Sequence, residues 1–367
     1  MNYLRYSVFL IVLIHFFACA QDKNPTNNDH HYELVVPQLT NPWGFVFLTD
    51  GSMLINEKSG KLFHFKNGRK KEISGFPDVY YRGQGGLLDI ELHPDYANNG
   101  WIYFTYASPE GEQRGGHTAL MRAKINNNQL VNQQVLYKAS PNSTRGQHFG
   151  SRIVFDDAGF VYFTIGERGN RDVNPQDITR DGGKVYRLHD DGRIPADNPF
   201  VGRTNAKAAI YSYGHRNPQG MVIHPETRDI WTHEHGPKGG DEINIITAGK
   251  NYGWPIITYG VNYIGTKITD ETSRPGMEQP LHYWVPSIAP SGMAFISSNN
   301  YDGWNGNLLV GSLKFQYLDN CYIENGKVVK EERLLDGIGR VRSIEQGPDG
   351  YIYVGVENLG IVKLIKD

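Results

Sequence analysis

His148 stands in RGQHFGSRIVF between Gly146 and Gly150, directly before an apolar run. Flanking glycines let the backbone present a side chain at a loop tip, and an imidazole with its ordinary pKa near neutrality can accept a proton there. A capping or solvent-facing histidine would use the same residues. Glu167, in TIGERG one hairpin later, is placed to sit beside His148 and raise its basicity. In GHRNPQG, Arg216 and Asn217 precede Pro218 and are held extended by it, which fixes two hydrogen-bond donors in direction; an arginine that merely ties neighbouring elements together is the structural alternative. In HGPKGGDE, glycine and proline turns expose backbone carbonyls next to Asp241 and Glu242, an oxygen-rich setting that suits a hard cation such as calcium, although the spacing is not that of an EF-hand loop. Nearer the C-terminal end come Lys314 in GSLK and the alternating pair Arg340 and Arg342 in GRVRSIEQG, on one face of an extended segment. Two fixed guanidiniums and a lysine suit a ligand with several carboxylates or phosphates, unless they form a solvated basic face.

Residues so far apart in sequence can share a site only if the fold brings equivalent loops together. An apolar strand, a turn with Asp, Asn, Pro or Gly, and a strand of aromatic and β-branched residues recur six times, with turns at Gly51, Gly100, Gly159, Asp229, Gly306 and Gly350. The intervals accommodate about four strands each, the pattern of an all-β, six-bladed β-propeller forming a single domain. YELVV, Tyr32 to Val36, can supply an outer strand to the last blade and close the ring, removing a free edge. The 42 glycines, 22 tyrosines and 12% aromatic content agree with short strands and tight turns, and the pattern predicts no helix beyond a turn or two after the leader. In a propeller the loops at one mouth of the central channel converge, so the chemistry belongs at equivalent blade positions.

A net charge of −2 gives no general attraction to nucleic acid or to anionic membranes, so any basic site must be local. Residues 1–20 read as a signal peptide: Arg5, an apolar run from Val8 to Phe17 that is too short to span a bilayer, then Ala18-Cys19-Ala20. Cleavage after Ala20 would release the chain; cleavage before Cys19 would leave a lipidated first residue, and residues 21–28 would then be a polar tether. Either route predicts an exported protein, periplasmic or lipid-anchored to the bacterial envelope, with 29–367 as the propeller. Apart from Cys19 there is only Cys321, so no disulfide is expected within the mature body, and Cys321 reads as a small packed residue.

Ten segments run in order along nearly the whole chain after the leader: GQGGLLDIELHPDY, QHFGSRIVF, TIGERGN, QDITRDGGKVYRLHDDGRIPADNPF, YGHRNPQGM, EHGPKGGDEINII, KNYGWP, PSIAPSGMAF, GSLK and GRVRSIEQGPDG. Together they resemble the soluble glucose/sorbosone dehydrogenase family, in particular its aldose sugar dehydrogenases, which use pyrroloquinoline quinone (PQQ) on a six-bladed propeller. The resemblance implies that His148 is the general base that takes the proton of the sugar's anomeric hydroxyl while hydride passes to PQQ, and that Arg216 polarises the quinone carbonyl and stabilises its developing charge. It implies that Gln84, Arg216, Asn217, Tyr263, Lys314, Arg340 and Arg342 hold the cofactor. It implies calcium as the metal, bound catalytically by the carbonyls of Gly236 and Pro237, with Glu242 and Tyr252 at a further structural calcium position. The expected activity is oxidation of aldoses to lactones, with electrons leaving to an external acceptor. His235, Ser287 and Gln147 depart from the residues of some relatives, and Val285 and Gly292 suggest an open pocket, so sugar preference is the least determined property. A non-catalytic propeller that binds a partner or glycan, and a calcium-dependent lactonase, are the rival readings of the same fold.

Overall fold

The computed structural model describes residues 30–366. The leader, Cys19 and the polar spacer lie outside the described residues. Twenty-four strands form six four-stranded antiparallel sheets arranged as the blades of a β-propeller. Blade 1 spans residues 42–73, blade 2 87–138, blade 3 153–213, blade 4 218–284 and blade 5 290–334. Blade 6 takes three strands from 341–366, and its outermost strand, His30–Pro37, comes from the other end of the chain and pairs antiparallel with Gly360–Lys366. The expected closure by Tyr32 to Val36 is therefore present, a few residues longer at each end.

The strands form because their residues are apolar on both faces. The second strand of each blade, for example Val161–Ile165 or Ile352–Val356, is buried along its whole length. Each sheet is sandwiched between two others, so its residues pack alternately toward the preceding and the following blade. Among the described residues six of seven apolar clusters fill the six blade-to-blade junctions; Ile344, Val354 and Val362 of blade 6 meet Leu309, Leu318 and Leu334 of blade 5 in one of them. Most outer strands are more polar: Arg69–Ile73 reads RKKEI, and four of its five residues are exposed, whereas the outer strand of blade 3, IYSY, has none exposed. Charged outer edges disfavour pairing with other chains. The helical content agrees with the expectation too, one helix of four residues, Tyr96–Asn99, among the described residues.

All six glycine- or aspartate-marked turns join the first strand of a blade to its second, so they share one mouth of the channel. Five place a glycine in the left-handed region, as Gly159 does at φ 81°. In blade 4 that conformation falls on Arg228, φ 63°, one residue before the expected Asp229. The other mouth, where the innermost strands begin, carries the residues picked out for chemistry.

Candidate active site

Each blade builds this mouth from two segments, the one entering its innermost strand and the one between its second and third strands. His148, Arg216, Asn217, Gln84 and Arg340 belong to the first kind; Glu167, Glu234, His235, Lys314 and Glu357 belong to the second. Antiparallel pairing puts both at the same end, which is why distant residues meet.

His148 and Glu167 form the centre of the site. The Nδ1 of His148 is hydrogen-bonded to Oε1 of Glu167, and both side chains are largely shielded, at 13% and 2% exposure. With Nδ1 donating to the carboxylate, Nε2 keeps its lone pair, and it has no partner among the described residues. The backbone of His148 is left-handed, φ 56°, and its N–H donates to Oε1 of Gln84 at 2.8 Å. Burial holds the imidazole pKa below its ordinary value; the Arg216 charge adds to this, and Glu167 works in the opposite direction. His148 therefore stays neutral, able to take a proton, below the usual histidine range.

Arg216 lies beside it. Its Nη1 donates to the carbonyl of His235 at 2.9 Å, and its guanidinium lies 5.4 Å from the Trp254 ring centre. A second carboxylate holds its backbone: Oε2 of Glu234 accepts the N–H groups of Arg216 at 2.5 Å and Asn217 at 3.3 Å, and Oε1 takes Nδ1 of His215 at 2.9 Å. The Glu167 N–H donates to the Arg216 carbonyl at 2.8 Å, linking the two halves of the site. Asn217 is fully buried; its Oδ1 accepts from Gly150 at 3.1 Å, while its Nδ2 has no partner. His148, Glu167, Arg216, Pro237, Trp254 and Tyr263 line one cleft of about 300 Å³ together with Gln147, Arg145 and Arg171.

Blades 5, 6 and 1 form a basic wall. Arg342 is buried and gives Nη2 to Glu357 at 2.6 Å and Nη1 to Gln219 of blade 4 at 3.2 Å, so it reaches across the channel. Arg340 pairs with the other oxygen of Glu357 at 2.9 Å and donates to the carbonyl of Leu313, next to the exposed Lys314. Burial and the Arg342 charge lower the pKa of Lys58 in the same wall. One carboxylate thus serves several cations, leaving an excess of positive charge. Beneath, Arg152 of blade 3 seals the channel by bonding Asp89 at 2.8 Å, the carbonyl of Gln219 at 2.8 Å and the carbonyl of Arg342 at 2.7 Å.

A small cavity of about 10 Å³ adjoins Arg216, lined by Glu234, Gly236, Gly240, Glu242, Tyr252 and Thr258. It has room for about one water-sized particle. Burial and repulsion from Glu234 push the Glu242 carboxyl up to about 8. The Tyr252 hydroxyl is occupied, donating to the Ile245 carbonyl at 2.5 Å and accepting from Thr247 at 2.9 Å, so only its backbone carbonyl is left for a metal. Asp241 accepts from the N–H groups of Gly236, Ile288 and Ala289 and from Ser287 Oγ, at 2.7–3.0 Å. It shapes the turn that presents Gly236 and Pro237, and no free oxygen of it faces the cavity.

A sequence profile described as Glucose / Sorbosone dehydrogenase matches residues 39–363. The chain belongs to the glucose/sorbosone dehydrogenase family. It is 40% identical over 358 residues to the aldose sugar dehydrogenase YliI of Escherichia coli, covering 95% of each chain. The crystal structure of the soluble aldose sugar dehydrogenase of Escherichia coli in its apo-form superimposes with a TM-score of 0.88 at 39% identity, covering 92% of this chain and 100% of that one. The PQQ-bound form of an aldose sugar dehydrogenase from Streptomyces coelicolor gives a TM-score of 0.76 at 26% identity, covering 92% of this chain and 98% of that one.

In this member of the glucose/sorbosone dehydrogenase family, His148, Arg216, Pro237 and Tyr263 share the cleft, with Gln84 and Asn217 bonded to the His148 loop. Gly236, Glu242 and Tyr252 line the adjoining small cavity. Lys314, Arg340 and Arg342 come together on blades 5 and 6 and are not among the residues that line this cleft. The positions expected to bear on sugar preference separate: the half-buried His235 donates Nε2–H to the Pro290 carbonyl at 2.6 Å, its pKa held well below the ordinary value by burial, and Ser287 is engaged by Asp241. Val285 is 61% exposed, whereas Gly292 lines a cavity at the opposite mouth and so forms no wall of the cleft. Sequence reasoning passed over Glu234, His215 and Glu357. Glu234 and His215 stand inside the motifs EHGPKGGDEINII and YGHRNPQGM, and Glu357 follows the last of them, but only strand register shows that each reaches a site residue.

Proposed function

We propose that this protein is a PQQ- and calcium-dependent dehydrogenase that oxidises aldoses at the anomeric carbon to lactones. The observation that carries this reading is a histidine tethered by Glu167 at Nδ1, with Nε2 free in a cleft shared with a held guanidinium. The residues fit the cofactor: the basic wall of Lys314, Arg340 and Arg342 suits a multiply carboxylated planar molecule, and the partnerless Nδ2 of Asn217 is a buried donor in need of an acceptor. They fit calcium as well, since Gly236 lines the small cavity where Glu234 and Glu242 crowd each other, and Pro237 lines the adjoining cleft. When bound, PQQ would supply the hydride acceptor and calcium would act on it as a Lewis acid.

The chain's own part is positioning and proton handling. His148 takes the proton of the anomeric hydroxyl at Nε2, which leaves the C1 hydrogen free to depart as hydride. Glu167 fixes the tautomer and offsets the imidazolium charge that forms. Arg216, held by Glu234 and His235, directs positive charge to where negative charge grows on the acceptor. The leader supports export to the periplasm or a lipid anchor at Cys19, and the acceptor of the electrons is external.

The test is to add PQQ and calcium to the apo-protein and follow dye reduction with a panel of aldoses. Turnover is expected only with both present. Absence of turnover with every aldose, together with no PQQ binding, overturns the proposal, and lactone hydrolysis without PQQ would point to a lactonase. Lys314→Ala should raise the PQQ concentration for half-activation about tenfold, ~1.4 kcal/mol. Arg342→Ala should raise it too and also lower stability, because buried Glu357 loses its main partner.

A further inference from the structure

We propose that Arg168 is a positioning residue for the proton acceptor, holding both chain neighbours of His148 so that the imidazole is fixed in the cleft. The proposal deepens the dehydrogenase reading and rests on it for the role of His148.

Arg168 is 2% exposed, and among the described residues no carboxylate bonds its guanidinium. The charge is met by backbone carbonyls instead: Nη1 donates to Gln147, and Nη2 donates to Arg145 at 2.8 Å and Gly116 at 3.1 Å. Its plane lies 3.5 Å from the centre of the Phe149 ring. The same side chain therefore holds residue 147 by a hydrogen bond and residue 149 by stacking, while the Arg168 N–H reaches the His148 carbonyl at 3.3 Å. Between these fixed neighbours His148 keeps a left-handed backbone, φ 56°, a conformation that is disfavoured, not excluded, for a residue with a Cβ.

Position in the chain adds to this. Glu167 grips the His148 ring and donates its own N–H to the Arg216 carbonyl, and Arg168 follows it directly. Two consecutive residues thus hold the ring and the backbone of the base. A buried guanidinium with no carboxylate bonded to it is costly, and burial, opposed by the charge of Glu167, pushes its pKa down to about 10, so it stays charged at neutral pH. A purely structural residue in this place would be replaced at lower cost by a well-packed apolar side chain.

The experiment compares wild type, Arg168→Met and Arg168→Lys. The readout that needs no cofactor is the low-field proton resonance of a histidine Nδ1–H bonded to a carboxylate, in apo-protein labelled with ¹⁵N-histidine. Among the described residues two histidines meet a carboxylate through Nδ1, His148 with Glu167 and His215 with Glu234, and His282 meets Glu331 through Nε2; the resonance lost in His148→Ala belongs to His148, and that of His215 is an internal control. In Arg168→Met the His148 resonance should shift or broaden while that of His215 stays in place. In the reconstituted enzyme kcat should fall about 10–100-fold, as misplacement of a reacting group predicts, with KM and the PQQ concentration for half-activation changed less than about twofold. Arg168→Lys, which keeps the charge but cannot span three carbonyls, should recover only part of kcat; if the Met variant does not fold, the Lys variant decides by the same readouts. An unmoved His148 resonance with unchanged kcat overturns the proposal, and so does loss of both histidine resonances together. Failure of wild type to turn over would overturn the dehydrogenase reading and leave the resonance experiment to judge Arg168.

Discussion

His148 and His215 sit on adjacent blades at the same end of the innermost strands, and each bonds a buried glutamate through Nδ1. They differ at the other nitrogen. Nε2 of His148 has no partner among the described residues and its ring lines the cleft, whereas Nε2 of His215 meets Ser212 Oγ at 2.9 Å and its ring stacks on Tyr252 at 4.5 Å. The glutamates differ as well. Glu167 serves the histidine ring, while Glu234 divides itself between His215 and the backbone of Arg216 and Asn217. One arrangement can therefore be a proton acceptor or a brace, depending on whether the distal nitrogen is left open to a substrate. The brace still bears on chemistry, because it sets the segment from which Arg216 projects.

The largest effect should come from removing the open ring. His148→Ala is expected to lower kcat by about 10²–10⁴-fold, the usual contribution of a general base, while PQQ still binds with little change. Dye reduction at the parental rate in this variant would remove the distinction between the two pairs.

Glu167→Gln sharpens the contrast through pH. Wild-type kcat/KM should fall as pH drops through the His148 pKa, which lies below 6.5 because burial and Arg216 outweigh Glu167. Replacing the carboxylate removes the influence that raises this pKa, so the acid limb should move to lower pH while the plateau drops about tenfold or more. A plateau that falls with the limb unmoved would make Glu167 a packing residue. Glu234→Gln should behave differently: the acid limb stays, and the calcium concentration for half-activation rises about tenfold, ~1.4 kcal/mol, because one of the two carboxylates at the small cavity loses its charge. A calcium titration alongside the pH profile separates the two glutamates.

These expectations show what a sequence exposes and what it withholds. The propeller was legible because each blade repeats an apolar strand and a marked turn, and because YELVV had no other partner than the last blade. His148, Arg216 and Asn217 were legible from glycine and proline neighbours that act locally. Glu234 and Glu357 were not: their partners are 18 and 15 residues away, at Arg216 and Arg342, and strand register brings them together. Glu167 stands in the same relation to His148, 19 residues away across one hairpin, so the reasoning that paired those two applies equally to blades 4 and 6. Gly292 was misread as a pocket residue, since nothing local tells which end of its strand faces the site. Arg168 is hidden for a further reason, as its partners are carbonyls, which every residue has.

The smallest expected effect is also the closest test of what makes the two pairs different. Ser212→Ala leaves His215 bonded to Glu234 but removes the group on Nε2, so the hydrogen-bond pattern of His215 becomes that of His148. Ser212 and His215 are both fully buried, and no cavity opens on them, so an unpaired ring nitrogen there has no access to substrate. Loss of one buried hydrogen bond should cost about 1 kcal/mol, a Tm lower by about 1–3 °C for a chain of this size, with kcat and the acid limb unchanged. Unchanged kinetics would show that access, rather than a free nitrogen alone, makes His148 the base. A clear fall in kcat would mean instead that the brace transmits small displacements through Glu234 to Arg216, and the two pairs would then have to be treated as one unit.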